Sequence, residues 1–148
     1  MTPAVPQVLA DLAARVARNA APQIPAAERA GELGLSALLL GLAAEMWDGA
    51  AERLVLENRG FRGLLAKGAS VASTSALRQA LETLASGGEA SLRLSALQSA
   101  NSSLRAGLIA LQLDLEGRDD PPAKALEADV WRGLADAALR SRLSGSPV

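Results

Sequence analysis

The chain contains no cysteine, no histidine and no tyrosine, and only three aromatic residues, Trp47, Phe61 and Trp131. Without cysteine there is no disulfide, thiolate nucleophile, iron–sulfur cluster or thiolate zinc site. Without histidine the commonest general base near neutral pH is missing, and Ser-His-Asp and Cys-His arrangements cannot be built. A di-iron site of the Glu-x-x-His kind is excluded as well. Carboxylates, serines, arginines and two lysines, Lys67 and Lys124, are left for any chemistry. The composition therefore predicts a protein that is not an enzyme and that holds no metal and no cofactor.

Charge of one sign is also lacking. Fifteen basic and sixteen acidic residues leave a net charge of −1, and no block of like charge stands out. Duplex binding calls for a basic face, and single-strand binding for stacking aromatics. Neither is present, so nucleic acid is not an expected partner. The longest charge-free apolar run, Leu33 to Ala44, has 12 residues, against ~20 for a membrane span. No apolar segment follows a basic start at the N-terminus. No transmembrane segment and a cytoplasmic location are the expectations. Arginine outnumbers lysine 13 to 2 and alanine is abundant, the bias of a GC-rich genome, which points to a bacterial source.

Strand formers are scarce: Val, Ile and Thr number 12 of 148 residues, whereas Ala (32) and Leu (27) make about 40%. Strands favour β-branched and aromatic residues, and helices favour Ala, Leu, Arg and Glu. The fold class read from this is all-α. It is expected to be an antiparallel helical bundle of four to five helices in one domain, 1–148, with a loose tail at 144–148. A chain this long hides roughly 70% of its unfolded surface, enough for a real core.

The first helix is opened by Pro3 and Pro6, carries Val5, Leu9, Leu12 and Val16 inward, and ends at Asn19 and Pro22. Pro25 starts the second. From Ala30 its residues alternate by three and four without a break: Ala30, Leu33, Ala37, Leu40, Ala44, Trp47, Ala51, Leu54, Asn58, Phe61, Leu65. A 3.5-residue period is the mark of a coiled-coil seam. Small residues fill one position of the seam and large ones the other. Unbroken to about Ala66, this helix would be roughly 60 Å long. Gly60 and Gly63 could kink or end it, each costing ~1 kcal/mol relative to Ala.

Lys67 to Ser75 reads as a loop, and a short third helix follows with Leu77, Leu81 and Leu84 inward. The fourth is expected from about Glu89 to Glu116, with the seam Ala90, Leu94, Leu97, Asn101, Leu104, Leu108, Leu111, Leu115. A second row, Ser91, Ser95, Ser99, Ser102 and Ala106, is small and reads as a solvated face or a close helix contact. Gly117 ends this helix. Asp120 caps a fifth helix that carries Pro121 at its first position.

A second helix of this length cannot be covered by its own short neighbours. The expectation is a homodimer, with room for a protein partner, and Ala37, Leu40, Ala44, Trp47, Ala51 and Leu54 in the interface. The function that fits is a non-enzymatic interaction and assembly module. A carrier or sensor of an apolar, acyl-chain-like molecule between the helices is the alternative.

One short pattern occurs twice. Asn58-Arg59-Gly60-Phe61-Arg62-Gly63-Leu64-Leu65 and Asn101-Ser102-Ser103-Leu104-Arg105-Ala106-Gly107-Leu108 share Asn-x-x-apolar-Arg-x-x-Leu. Each asparagine falls in a seam, and each arginine lies one turn later on the flank. A buried asparagine sets register in a bundle and needs hydrogen-bond partners. Asn58, Arg62, Asn101 and Arg105 are thus candidates for a polar layer, or for holding a small anion. With the second and fourth helices antiparallel and level near Ala66 and Glu89, the two asparagines fall about 6 Å apart along the axis.

Overall fold

The computed structural model describes residues 5–19 and 25–142. Pro3, Pro22 and the tail 144–148 lie outside the described residues, as do the side chains of Ala44 and Asp48. Among the described residues there are six helices and no strand: α1 (Val5–Asn19), α2 (Ala26–Asp48), α3 (Ala50–Val71), α4 (Ser75–Ala85), α5 (Leu94–Leu115) and α6 (Pro121–Arg140). The all-α class follows directly. The count is six rather than four to five, because the long second helix is two helices.

The break falls at Gly49, which leaves α2 with φ −96° and ψ 5° and donates its amide to the carbonyl of Trp47. Gly60 and Gly63 lie inside α3, facing open space. Glycine weakens a helix interior by about 1 kcal/mol, and burial of the opposite face outweighs that. Phe61, Leu64 and Leu65, between and beside these two glycines, are all in the core. For the same reason α3 continues into the expected loop at 67–75 and ends at Val71: Gly68 and Ala69 are buried, and only 72–74 remain as the turn into α4. In turn α5 begins at Leu94, not Glu89.

The chain divides into two compact units, one up to Ala50 and one over Ala51–Arg142. In the first unit α1 packs on α2. The buried and half-buried stripe of α2 is Glu32, Ser36, Leu39, Ala43 and Met46. Leu12 of α1 is buried, and Arg15 bridges Asp11 on its own helix and Glu32 on α2. This stripe lies one residue away from the expected seam, whose large members Leu33, Leu40 and Trp47 are 49%, 49% and 58% exposed. Over Ala26–Trp47 α2 has the length and mean hydropathy, 1.2, of a helix able to cross a membrane, with 12% buried. The expectation of no such segment rested on the shorter charge-free run.

In the second unit α3, α4, α5 and α6 surround one core. Thr74 caps α4 by accepting from the amide of Leu77, and Asp120 caps α6 by accepting from that of Ala123. These caps satisfy amides that the first helical turn leaves unpaired. Gly117, at φ 77°, turns the chain out of α5. Because α4 carries the chain back, α3 and α5 run parallel. Asn58 meets Asn101, Leu65 packs at Gly107, Leu111 packs at Gly68, and Ser73 bonds Asp114. The antiparallel arrangement of these two helices expected from the sequence is corrected by this order. α6 returns antiparallel along α3, with Leu64 against Gly133 and Lys67 paired to Asp129.

Candidate functional site

Parallel helices with a common offset of 43 residues bring the two copies of the Asn-x-x-apolar-Arg-x-x-Leu pattern level. Asn101 donates its side-chain amide to Oδ1 of Asn58 at 2.9 Å. Asn58 donates to the backbone carbonyl of Leu97 at 3.2 Å and to Oε2 of Glu89 at 3.5 Å. Both hydrogens of its amide are thereby used, which suits a side chain with no exposed surface. The Oδ1 of Asn101 accepts from Nε of Arg105 at 2.9 Å.

Each flanking arginine meets a glutamate. Arg62 donates from Nη1 to Oε1 of Glu89 at 2.5 Å, and both side chains are largely buried. Arg105 donates from Nη2 to Oε1 of Glu57, and its guanidinium lies 5.3 Å from the centroid of the Phe61 ring. The layer thus reads Glu57, Arg105, Asn101, Asn58, Glu89, Arg62, with two positive and two negative charges. All four residues singled out in the sequence are in it. An external anion would need one glutamate to leave its arginine first.

Glu57 and Glu89 were not picked out from the sequence. Glu57 precedes the first asparagine on the same helix, and the mixed charge of Glu57-Asn58-Arg59 was the available signal. Glu89 belongs to the segment between α4 and α5, where no periodicity fixes the direction of a side chain. The expected interface residues divide between the two units. Ala37, Leu40 and Trp47 are exposed on α2, while Ala51 and Leu54 are half-buried on α3, in the other unit. The side chain of Ala44 lies outside the described residues.

A second polar cluster joins the ends of α3, α5 and α6. Arg118 donates to the carbonyl of Val71 at 2.9 Å, to Asp114 at 3.1 Å and to Asp120 at 2.9 Å. Ser73 donates its amide (3.1 Å) and its hydroxyl to Asp114. Burial pushes the Asp114 carboxyl up, but Ser73 and Arg118 together outweigh it and hold the group below its ordinary range. The Arg118 guanidinium lowers Asp120, helped by the amide of Ala123. Lys67, with Arg132, lowers Asp129.

Two clefts open on the second unit. One, of about 250 Å³, lies between α3 and α6 and is rimmed by Glu57, Lys67, Asp129, Arg132, Asp136 and Arg140. The other is a shallow depression beside Ala66, Ala69, Arg78 and Glu82. Their charged rims differ from the enclosed apolar chamber that an acyl chain would fill. No group of three carboxylates converges as a ligand set among the described residues. Compared with known protein families, curated proteins and solved structures, the chain matches none.

Proposed function

We propose that this chain is a non-enzymatic assembly module, in which the second unit is a rigid body and the α1–α2 unit self-associates into a homodimer through α2. The observation that carries this reading is the open seam of α2. A helix apolar on all sides belongs in an interior. Over Ala26–Trp47 α2 has only 12% of its residues buried. Its packing on α1 uses the stripe from Glu32 to Met46 and leaves Leu33, Leu40 and Trp47 uncovered. Those three, with Ala30 and Ala37, keep the 3.5-residue period that one coiled-coil helix presents to another. The small positions allow close approach of the backbones.

Light scattering on the purified chain at tens of micromolar tests the reading. A dimeric mass, falling to the monomer in Leu40→Glu without loss of helical circular dichroism, is the expected result. A monomeric mass for the unaltered chain overturns it.

A further inference from the structure

The cleft between α3 and α6 owes its shape to two contacts and two glycines. Lys67 pairs with Asp129 at 2.7 Å, and Leu64 lies 2.8 Å from where a Cβ of Gly133 would stand, which fixes the register of these antiparallel helices. One turn further along, Gly60 comes level with Asp136, and another turn brings Glu57 level with Arg140. A Cβ on Gly60 would meet nothing within 4 Å, so the space beside it stays open as a cleft of about 250 Å³. Its floor is formed by the buried side chains of Phe61 and Leu64.

Six charged side chains rim this floor, three of each sign. Four of them are matched within the fold. Asp129 takes Lys67 and Arg132, each at 2.7 Å, and Glu57 takes Arg105 from outside the cleft. Asp136 and Arg140 are left over, and neither makes an ion pair or a side-chain hydrogen bond among the described residues. They stand one turn apart on α6, about 6 Å along its axis, without meeting each other. We propose that this cleft binds the zwitterion of a free α-amino acid with an apolar side chain. Such a molecule carries both of its charges on one carbon and so answers two opposite charges a single turn apart. The Arg140 guanidinium donates to the ligand carboxylate, which its planar fork matches. The Asp136 carboxylate accepts from the ligand ammonium, and the ligand side chain lies over Phe61 and Leu64 in the room that Gly60 leaves.

Other ligand classes leave part of the rim unmatched. A phosphate would face Glu57, Asp129 and Asp136, and a metal cation would face Lys67, Arg132 and Arg140. A hydrocarbon chain would cover the two unpaired charges without answering either, which costs their hydration. The volume falls just below the ~300 Å³ at which drug-sized pockets begin, and it suits a molecule of one residue's size. Every residue of the cleft belongs to the second unit, so the site does not depend on how α2 associates.

Titration of the isotope-labelled chain with L-leucine tests this, read from the backbone amide resonances of Gly60 and Gly133. An open site with two charge contacts calls for a Kd on the order of 1 mM. Leucinamide lacks the carboxylate and isocaproate lacks the ammonium, and each should bind about tenfold more weakly than leucine. Asp136 and Arg140 are both exposed, so Asp136→Asn and Arg140→Gln should keep the helical circular dichroism. Each should weaken leucine by about tenfold. In Asp136→Asn, isocaproate should bind as well as leucine does, a reversal that lost structure would not produce. No saturation by about 20 mM leucine, leucine no tighter than its two truncated relatives, or either variant binding leucine unchanged would each overturn the proposal. These titrations read the same whether the α2 dimer forms or not.

Discussion

Asn101 gives one amide hydrogen to Asn58 across 2.9 Å, while Asn58 gives both of its own to Leu97 and Glu89. The relationship is unequal, and its consequences for stability are unequal too. Asn58→Leu takes the acceptor from the buried Asn101 amide and a donor from Glu89, the Leu97 carbonyl keeping its partner within α5, whereas Asn101→Leu leaves one acceptor of Asn58 and the Nε of Arg105 short of a partner. Each single change should cost ~1–3 kcal/mol in urea unfolding, Asn58→Leu the more. The double change should cost less than the two singles added, because neither amide is then left unpaired. Strict additivity would show that the bond contributes nothing by itself.

Glycine substitutions should separate by position. A Cβ on Gly68 would lie 2.6 Å from Leu111 Cδ2, and one on Gly107 would lie 2.6 Å from Leu84 Cδ1. Gly68→Ala and Gly107→Ala should each destabilise by about 1–3 kcal/mol through overpacking, less the helix propensity gained. A Cβ on Gly60 or Gly63 meets nothing within 4 Å. Gly60→Ala should stabilise by up to ~1 kcal/mol. Chemical denaturation of the three variants ranks them directly.

Acid should loosen the α3–α5–α6 junction before it removes helix elsewhere. Asp114, Asp120 and Asp129 are held below their ordinary pKa by Ser73, Arg118 and Lys67. A depressed folded pKa gives stability that is present above the unfolded value, about 3.9, and is lost as pH falls through the folded value. Stability should therefore be level from pH 7 to 5 and decline below about 4. Asp114→Asn should flatten part of that decline, and a melting series against pH in the two proteins checks it.

Arg118 should not be replaceable by lysine. Its guanidinium reaches Val71, Asp114 and Asp120 at once, and an ammonium cannot repeat that planar fork. Arg118→Lys should lower the urea midpoint, because one or two charge-assisted bonds are lost. An unchanged urea midpoint would show that solvent replaces them.

Helix, caps and the polar pair were legible because each has a local cause. Ala and Leu content sets the class, Asp120 with Pro121 marks the start of α6, and Asn in an otherwise apolar seam calls for a partner. Direction was not legible in the same way. Whether α3 and α5 run parallel depends on α4 being long enough to carry the chain back, and a seam period is the same in either sense. The break at Gly49 was hidden for a related reason. Three glycines offered the same intrinsic cost, and only the core around Phe61, Leu64 and Leu65 decides which of them stays helical. Glu89 owes its place to a segment without period, and no spacing announces it.

Leucine-rich helices face a particular hazard, because one turn of leucines looks much like the next. If α5 slid by a heptad along α3, Asn58 would meet Leu94 or Leu108, and Asn101 would meet Ala51 or Leu65. Leucine would still meet leucine along much of the seam after such a slip, but both amides would be left facing hydrocarbon and Leu111 would lose the room that Gly68 gives it. The asparagine pair therefore acts as an index mark between two otherwise smooth scales. It penalises the near-native misfolds that hydrophobic contact alone would accept, and the folded ensemble is narrower than its composition would allow.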